Sequence, residues 1–233
     1  MMHNCYKRED VFICRHDLHR SFDYRVSAYH ILHEKRCYPE GCIDFIWKCK
    51  LLDKGGSCPK GYHHVGNNCT NCRYYDEEKV HRRPELLISE DEYLVYQDEC
   101  RLFDEWLEDH EGRLLDAGGR VTDIRPYLVK RVDGPRRSLS LRGFLLRLQP
   151  AYVDRDGFED AIYIRISGAQ QRRHRLAAGD ALEAQGVLRF DRGRVAVTAP
   201  RRLHVEDRSG NEPARWDRAL LDKVGAVSLD GQP

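Results

Sequence analysis

The sequence predicts an α+β protein: a small cysteine-rich N-terminal domain stabilised by metal, a linking amphipathic helix and a C-terminal five-stranded β-barrel. Three observations support this. Eight of the nine cysteines lie within the first 72 residues, an acidic segment follows with helical periodicity, and strand-like alternation begins after Gly112. We expect the cysteine-rich domain at 1–84, the helix at 85–111, the barrel at 112–205, and a tail at 206–233 with a candidate short helix over Ala214–Val224.

The N-terminus carries charged residues where a secretory signal would need an apolar segment of about 7 to 15 residues. No apolar run approaches the roughly 18 residues of a membrane-spanning helix. We therefore expect a cytoplasmic protein without a membrane partner. Because the cytoplasm keeps thiols reduced, cysteines there indicate metal ligands or reactive thiols rather than disulfides.

The spacing of the cysteines favours zinc. Cys37-x4-Cys42 and Cys69-x2-Cys72 are tight pairs of the kind that direct two thiolates at one tetrahedral ion. Each tight pair follows a wide pair with eight intervening residues. The pattern resembles two zinc-ribbon sites with two Zn²⁺ ions, although a crossed arrangement of the pairs fits nearly as well. The predicted ligands are Cys5, Cys14, Cys37 and Cys42 for the first site, and Cys49, Cys58, Cys69 and Cys72 for the second.

Two alternatives for this domain remain open. An iron–sulfur cluster also takes four thiolates and tolerates irregular spacing. Histidines can also replace a cysteine, and the candidates are His16, His19, His30, His33, His63 and His64, with His16 the foremost of them. Apolar residues near helical period predict a helix over Ser21–Lys35.

The segment 85–111 holds one arginine against eleven acidic residues. Ser89 and Glu92 have the spacing of a capping box, which predicts a helix from there to about Gly112. Its apolar stripe comprises Val95, Leu102, Phe103, Trp106 and Leu107. We expect the stripe to dock on the neighbouring modules, or alternatively to bind a partner protein. The acidic surface should repel nucleic acid.

Five strands are predicted after the helix, at about 113–125, 138–148, 161–167, 180–190 and 193–205. In the second strand the apolar positions change parity at Gly143. This change predicts a β-bulge that lets the strand bend, as in small closed barrels.

The five strands, the connecting segment after the third and the Gly179-Asp180 entry to the fourth resemble the OB-fold over about residues 112–205. The resemblance implies a partly open Greek-key barrel that binds nucleic acid across its second and third strands and flanking loops. The region holds nineteen basic residues, eighteen of them arginine, against ten acidic ones. Candidate nucleic-acid contacts are Arg142, Phe144 and Arg147 on strand two, Tyr163 and Arg165 on strand three, Lys130, Arg131, Arg136 and Arg137 in the first loop, Arg192 and Arg194 in the last, and Arg172, Arg173 and Arg175 between strands three and four.

Guanidinium groups neutralise phosphates and aromatic rings stack on bases, so the composition favours a nucleic-acid-binding protein for single-stranded or structured RNA or DNA. An opposing interpretation is that Phe144 and Tyr163 belong to the core and the arginines form a solvated face. The familiar phosphate-loop, serine-hydrolase and zinc-protease motifs do not occur, which argues against an enzyme. The other two functional hypotheses are an adaptor or subunit of a larger complex and an iron–sulfur protein in redox or electron transfer.

Overall fold

The computed structural model describes residues 1–133 and 136–214, without the side chains of 130–139. It divides into two compact units. Glu9–Ser89 form the first, here called the cysteine unit. Met1–Arg8 and the chain from Glu90 onward form the second, here called the sheet unit. The first eight residues therefore belong with the C-terminal part of the chain, whereas the sequence placed them in the cysteine-rich domain.

The cysteine unit is built on two small antiparallel ladders. Strand β1 (Phe12–Ile13) pairs with β4 (Glu85–Leu86), and β2 (Cys42–Cys49) pairs along its whole length with β3 (Tyr75–Arg82). Single-turn helices occupy Asp17–Phe22 and Asn67–Cys69, and a π-helix spans His30–Glu34. With so little regular structure, the long connections decide where the cysteines lie.

The helix predicted over Ser21–Lys35 is wrong. The first single-turn helix ends at Phe22 because Asp23 and Tyr24 both adopt positive φ, at 52° and 62°. The apolar residues of this stretch that become buried are Val26, Ala28 and Ile31. They follow the irregular chain and not one helical face.

The sheet unit begins its main run with helix α1 (Glu90–His110), which agrees with the predicted acidic helix. Six strands follow, with helix α2 (Gly168–His174) after the fourth of them. The strands are β5 (Leu114–Asp133), β6 (Arg136–Val153), β7 (Asp156–Phe158), β8 (Ile162–Ile166), β9 (Ala181–Asp191) and β10 (Arg194–Asp207).

The strand order is β5-β9-β10-β8-β6-β7, and β5 also pairs with β6. The pairings of β5, β9, β10, β8 and β6 therefore return to the strand on which they began. All are antiparallel except that between β8 and β10. The inner residues alternate along each strand, and the completely buried ones include Leu146, Ile162, Ile164, Leu182 and Leu188.

Helix α1 buries a face that the predicted stripe matches only in part. Phe103, Trp106 and Leu107 are buried as expected, together with Tyr96 and Cys100. Val95 and Leu102, which were assigned to the same stripe, are 61% and 55% exposed. At 100° per residue they lie on the opposite side of the helix from Tyr96 and Cys100.

The bulge predicted at Gly143 is confirmed. The register between β5 and β6 shifts here, since Tyr127 pairs with Gly143 and Leu128 with Leu141. Gly143 has φ 155°, and a Cβ atom at this position would lie 2.0 Å from the carbonyl oxygen of Ile166 on β8. Only glycine permits this close approach of the two strands.

The predicted strands all exist, but two are much longer than expected. We predicted that the first ended at Arg125, whereas β5 continues through Pro126 to Asp133. There β5 pairs with β6 alone, because its pairing with β9 ends at Arg120, so an absent N–H at Pro126 breaks no ladder. Strand β7 was not predicted. Neither α1 nor any other helix of the described residues has the length and apolarity needed to cross a lipid bilayer.

Candidate metal centres and nucleic-acid surface

The four cysteines predicted for the second metal site lie around one pocket of the cysteine unit, lined by Cys49, Cys58, Cys69 and Cys72. Leu51, Leu52 and Val65 contribute apolar walls. Each of the four cysteines is half-buried and free of disulfides. Thiols grouped in this way offer a soft donor set suited to Zn²⁺ or an iron–sulfur cluster.

Short turns hold these cysteines in place. Cys49 ends β2, and its carbonyl accepts from the N–H of Asp53 at 2.9 Å. The tight pair is bridged by the N–H of Cys72, which donates to the carbonyl of Cys69 at 2.8 Å, and Tyr75 N–H then donates to Cys72 as β3 begins. The β2–β3 ladder thus fixes the distance between the first cysteine and the last pair.

Three cysteines of the predicted first site also lie together. Burial raises the pKa of the Cys37 thiol to about 11, and the neighbouring Cys14 and Cys42 thiols raise it further in the same direction. Burial also raises the pKa of Cys14, opposed by a hydrogen bond from the His16 backbone N–H. Gly41 closes the tight pair at φ 94°, where a Cβ atom would meet the Arg82 carbonyl oxygen at 2.6 Å.

The assignment of Cys5 to this site needs correction. Cys5 lies in the sheet unit, in a single-turn helix over Cys5–Lys7, and is completely buried. Its thiol donates to Cys100 of α1, and this hydrogen bond raises the pKa of Cys5 and lowers that of Cys100. The wide-pair spacing was misleading because Arg8 and Glu9 fall on either side of a boundary between units.

A polar group accompanies the three cysteines. His16 Nε2 lies 3.2 Å from Asp44 Oδ1, and Arg82 Nε lies 3.8 Å from Asp44 Oδ2. Asp44 is buried, and neither its Oδ2 nor Arg82 Nε has a hydrogen-bond partner. Among the described residues, however, no three His, Cys, Asp or Glu side chains converge closely enough to hold a metal ion. The donor chemistry fits zinc, while coordination itself stays a prediction.

The candidate nucleic-acid surface lies on the outer side of the sheet. Arg147 on β6 pairs directly with Tyr163 on β8, so both side chains are on one face. Arg165 stacks on the Tyr127 ring, with Cζ 4.1 Å from the ring centroid. Arg194 Cζ lies 5.5 Å from the Tyr163 centroid. Aromatic and guanidinium planes therefore alternate across β5, β6, β8 and β10.

The predicted contact residues fall into three groups. Arg142, Arg165, Arg172, Arg173, Arg175 and Arg192 are exposed, and Arg147, Tyr163 and Arg194 are half-buried. The side chains of Lys130, Arg131, Arg136 and Arg137 lie outside the described residues. Phe144 is 5% exposed within the core, so its ring is not available to a base, which corrects that assignment.

Two residues of this surface escaped the sequence reasoning. Tyr127 was missed because Pro126 suggested the end of the strand, although apolar Ile124 and Leu128 on either side continue the pattern of buried residues. Lys7 Nζ lies 4.6 Å from the Tyr163 centroid and donates to the carbonyl of Ala161 at 3.0 Å. Burial lowers the pKa of Lys7. No local pattern connects Lys7 with a strand 150 residues away.

Comparison with known proteins leaves the geometry to carry the argument, since no family model, curated protein or solved structure matches this chain.

Proposed function

We propose that the chain is a nucleic-acid-binding protein whose sheet unit is an OB-type barrel and whose cysteine unit is held together by zinc. The observation that carries the proposal is the returning strand order, β5-β6-β8-β10-β9-β5, with its outward Arg and Tyr residues. An OB-fold is a five-stranded Greek-key barrel that binds oligonucleotides on its second and third strands. In this chain those strands are β6 and β8.

The expected binding mode divides the work between charge and stacking. Arg147, Arg165 and Arg194 neutralise phosphates along a single strand, and Tyr127 offers a ring on which a base stacks once Arg165 swings aside. Base stacking on such rings contributes roughly 1 to 3 kcal/mol per base. The turn that carries Arg192 between β9 and β10 corresponds to one of the two loops that flank an OB binding face.

Zinc would be held by Cys49, Cys58, Cys69 and Cys72, and by Cys14, Cys37 and Cys42 in a first site whose fourth ligand is not Cys5. Bound zinc supplies folding free energy to a domain that has few apolar residues. The donor set also suits an iron–sulfur cluster, which metal analysis of anaerobically purified protein distinguishes. A brown preparation that absorbs near 400 nm would replace zinc with iron–sulfur in the proposal.

The nucleic-acid proposal is tested by fluorescence anisotropy with labelled single-stranded and hairpin oligonucleotides over a salt series. Arg165→Ala should weaken binding about fivefold or more and reduce the slope of log K against log salt by about 0.7 on single strands. Arg155→Ala removes the same charge from the exposed β6–β7 turn and should change the affinity less than twofold. Affinities of micromolar or weaker for every oligonucleotide at low salt would refute the proposal.

A second candidate function is supported by the outer face of α1. Leu94, Val95 and Leu102 are 61%, 61% and 55% exposed on this otherwise acidic helix. An apolar strip among carboxylates fits a protein partner better than nucleic acid, as expected for an adaptor or a subunit of a complex. Purification of the native protein separates the two, because the adaptor predicts a stoichiometric protein and the first proposal predicts bound nucleic acid.

A further inference from the structure

Two histidines of the cysteine unit face each other through the same ring atom. Nε2 of His19 and Nε2 of His30 are 3.1 Å apart. His19 lies in the helix Asp17–Phe22 and is 8% exposed, while His30 opens the π-helix and its side chain is 21% exposed. The His63 and His64 side chains, in contrast, are exposed.

The opposite ring atoms define the protonation of this pair. His19 Nδ1 lies 3.3 Å from the Cys14 carbonyl oxygen, which can only accept a hydrogen bond. His30 Nδ1 lies 2.7 Å from Glu34 Oε2, which accepts as a carboxylate. Both Nδ1 atoms therefore carry the proton, and two Nε2 lone pairs point at each other. Such a contact is repulsive unless a cation lies between the two atoms.

We propose that His19 and His30 form a nitrogen-donor metal site, separate from the thiolate sites, that binds one Zn²⁺ ion through the two Nε2 atoms. Zinc binds histidine nitrogen at about 2.0 to 2.1 Å, so two such ligands across a tetrahedral angle are roughly 3.3 Å apart. The observed 3.1 Å is close to this value. Water completes the coordination, because no third protein ligand converges there among the described residues.

The surroundings of the two rings match those of metal-binding histidines. Such histidines usually donate their other N–H to a carboxylate or a backbone carbonyl, which orients the ring and strengthens its basicity. His30 uses Glu34 in this way and His19 uses the carbonyl of Cys14. Glu34 also brings a negative charge near the ion. His30 and Glu34 are brought together by a π-helix, an element that is frequent at functional sites.

The test counts zinc on the full-length protein after it has been saturated and passed through a desalting column. Wild-type protein should retain one equivalent more than His30→Ala, and the His63→Ala control should equal wild type. Glu34→Gln, a change at an exposed carboxylate, should weaken this one equivalent about tenfold without altering the fold. Equal stoichiometry in wild type and His30→Ala would overturn the proposal.

Two spectroscopic measurements distinguish this site from the thiolate sites. Long-range ¹⁵N–¹H NMR of wild-type protein should show both Nδ1 atoms protonated and both Nε2 signals shifted by Zn²⁺, which reports the imidazoles whether or not the thiols bind metal. With Co²⁺ in place of Zn²⁺, His30→Ala should keep the full thiolate-to-cobalt charge-transfer band. A reduced band would assign His30 to a thiolate site, and unshifted Nε2 signals would show that the rings share a proton instead; either result refutes the proposal.

Discussion

Replacement of Gly143 by alanine tests the closest strand contact of the sheet unit. The new Cβ atom would lie 2.0 Å from the Ile166 carbonyl oxygen, whereas Cβ atoms essentially never come closer than 3.0 Å to another heavy atom. Strands β6 and β8 must therefore separate locally by about 1 Å, which lengthens a hydrogen bond of 2.9 Å beyond the range of a real one. The pairing of Phe144 with Ile166 lies next to the bulge and is the first to be lost.

The magnitude follows from the bonds involved. Loss of about two buried backbone hydrogen bonds, at about 1 kcal/mol each with a further 1 to 3 kcal/mol for donors left unsatisfied, gives a destabilisation of about 3 to 5 kcal/mol. This is a large part of the 5 to 15 kcal/mol typical of a domain. Urea denaturation measures it, followed by the fluorescence of buried Trp106 with the other tryptophans replaced by phenylalanine.

The matched control is Gly157→Ala in β7. Its nearest atom would be Met1 Cγ at 3.6 Å, an ordinary contact, so its stability should stay within about 0.5 kcal/mol of wild type. If Gly143→Ala is as stable as this control, the two strands do not approach as described and the reasoning fails.

The remaining predictions concern the cysteines and one buried carboxylate. Cys5→Ser should keep every zinc equivalent, while Cys58→Ser should lose one by elemental analysis; loss of zinc from Cys5→Ser would return that residue to the ligand set. Burial opposes ionisation of Asp180, but hydrogen bonds from Ser209, Ala177 and Arg208 lower its pKa below the usual value. A lowered folded-state pKa gives stability that is present above about pH 4 and is lost as the pH falls further. Asp180→Asn should therefore cost about 1 to 2 kcal/mol at pH 7 and almost nothing near pH 2, and a difference independent of pH would contradict this account.

The sequence was most informative where neighbouring residues decide the structure. The alternation of Ile162, Ile164 and Ile166 identified β8, and the parity change at Gly143 identified the bulge, because both depend on period-two burial within a few residues. The acidic helix was identified by its start and its periodicity. Its buried face was assigned less well, since Val95 and Tyr96 are equally apolar and only the tertiary contacts decide which is covered.

Long-range relations escaped prediction. The equal spacing of Cys5 and Cys14 to that of Cys49 and Cys58 predicted a repeat, but Cys5 packs with Cys100, ninety-five positions away. Tyr127 lay beyond a proline that normally ends a strand, and only the lack of a second neighbouring strand makes that proline harmless. The His19–His30 contact depends on an irregular connection that has no periodic signature.

The place of Met1–Arg8 in the sheet unit has a consequence for synthesis on the ribosome. The buried Asn4 donates through its side-chain amide to the carbonyl of Gly193, 189 residues later, and Met2 N–H donates to Gly157. The first residues to emerge must wait for almost the whole chain before they find their partners, while Glu9–Ser89 can fold meanwhile as a closed excursion. A purification tag or a trimmed start at the N-terminus would therefore disturb the part of the protein that is translated last.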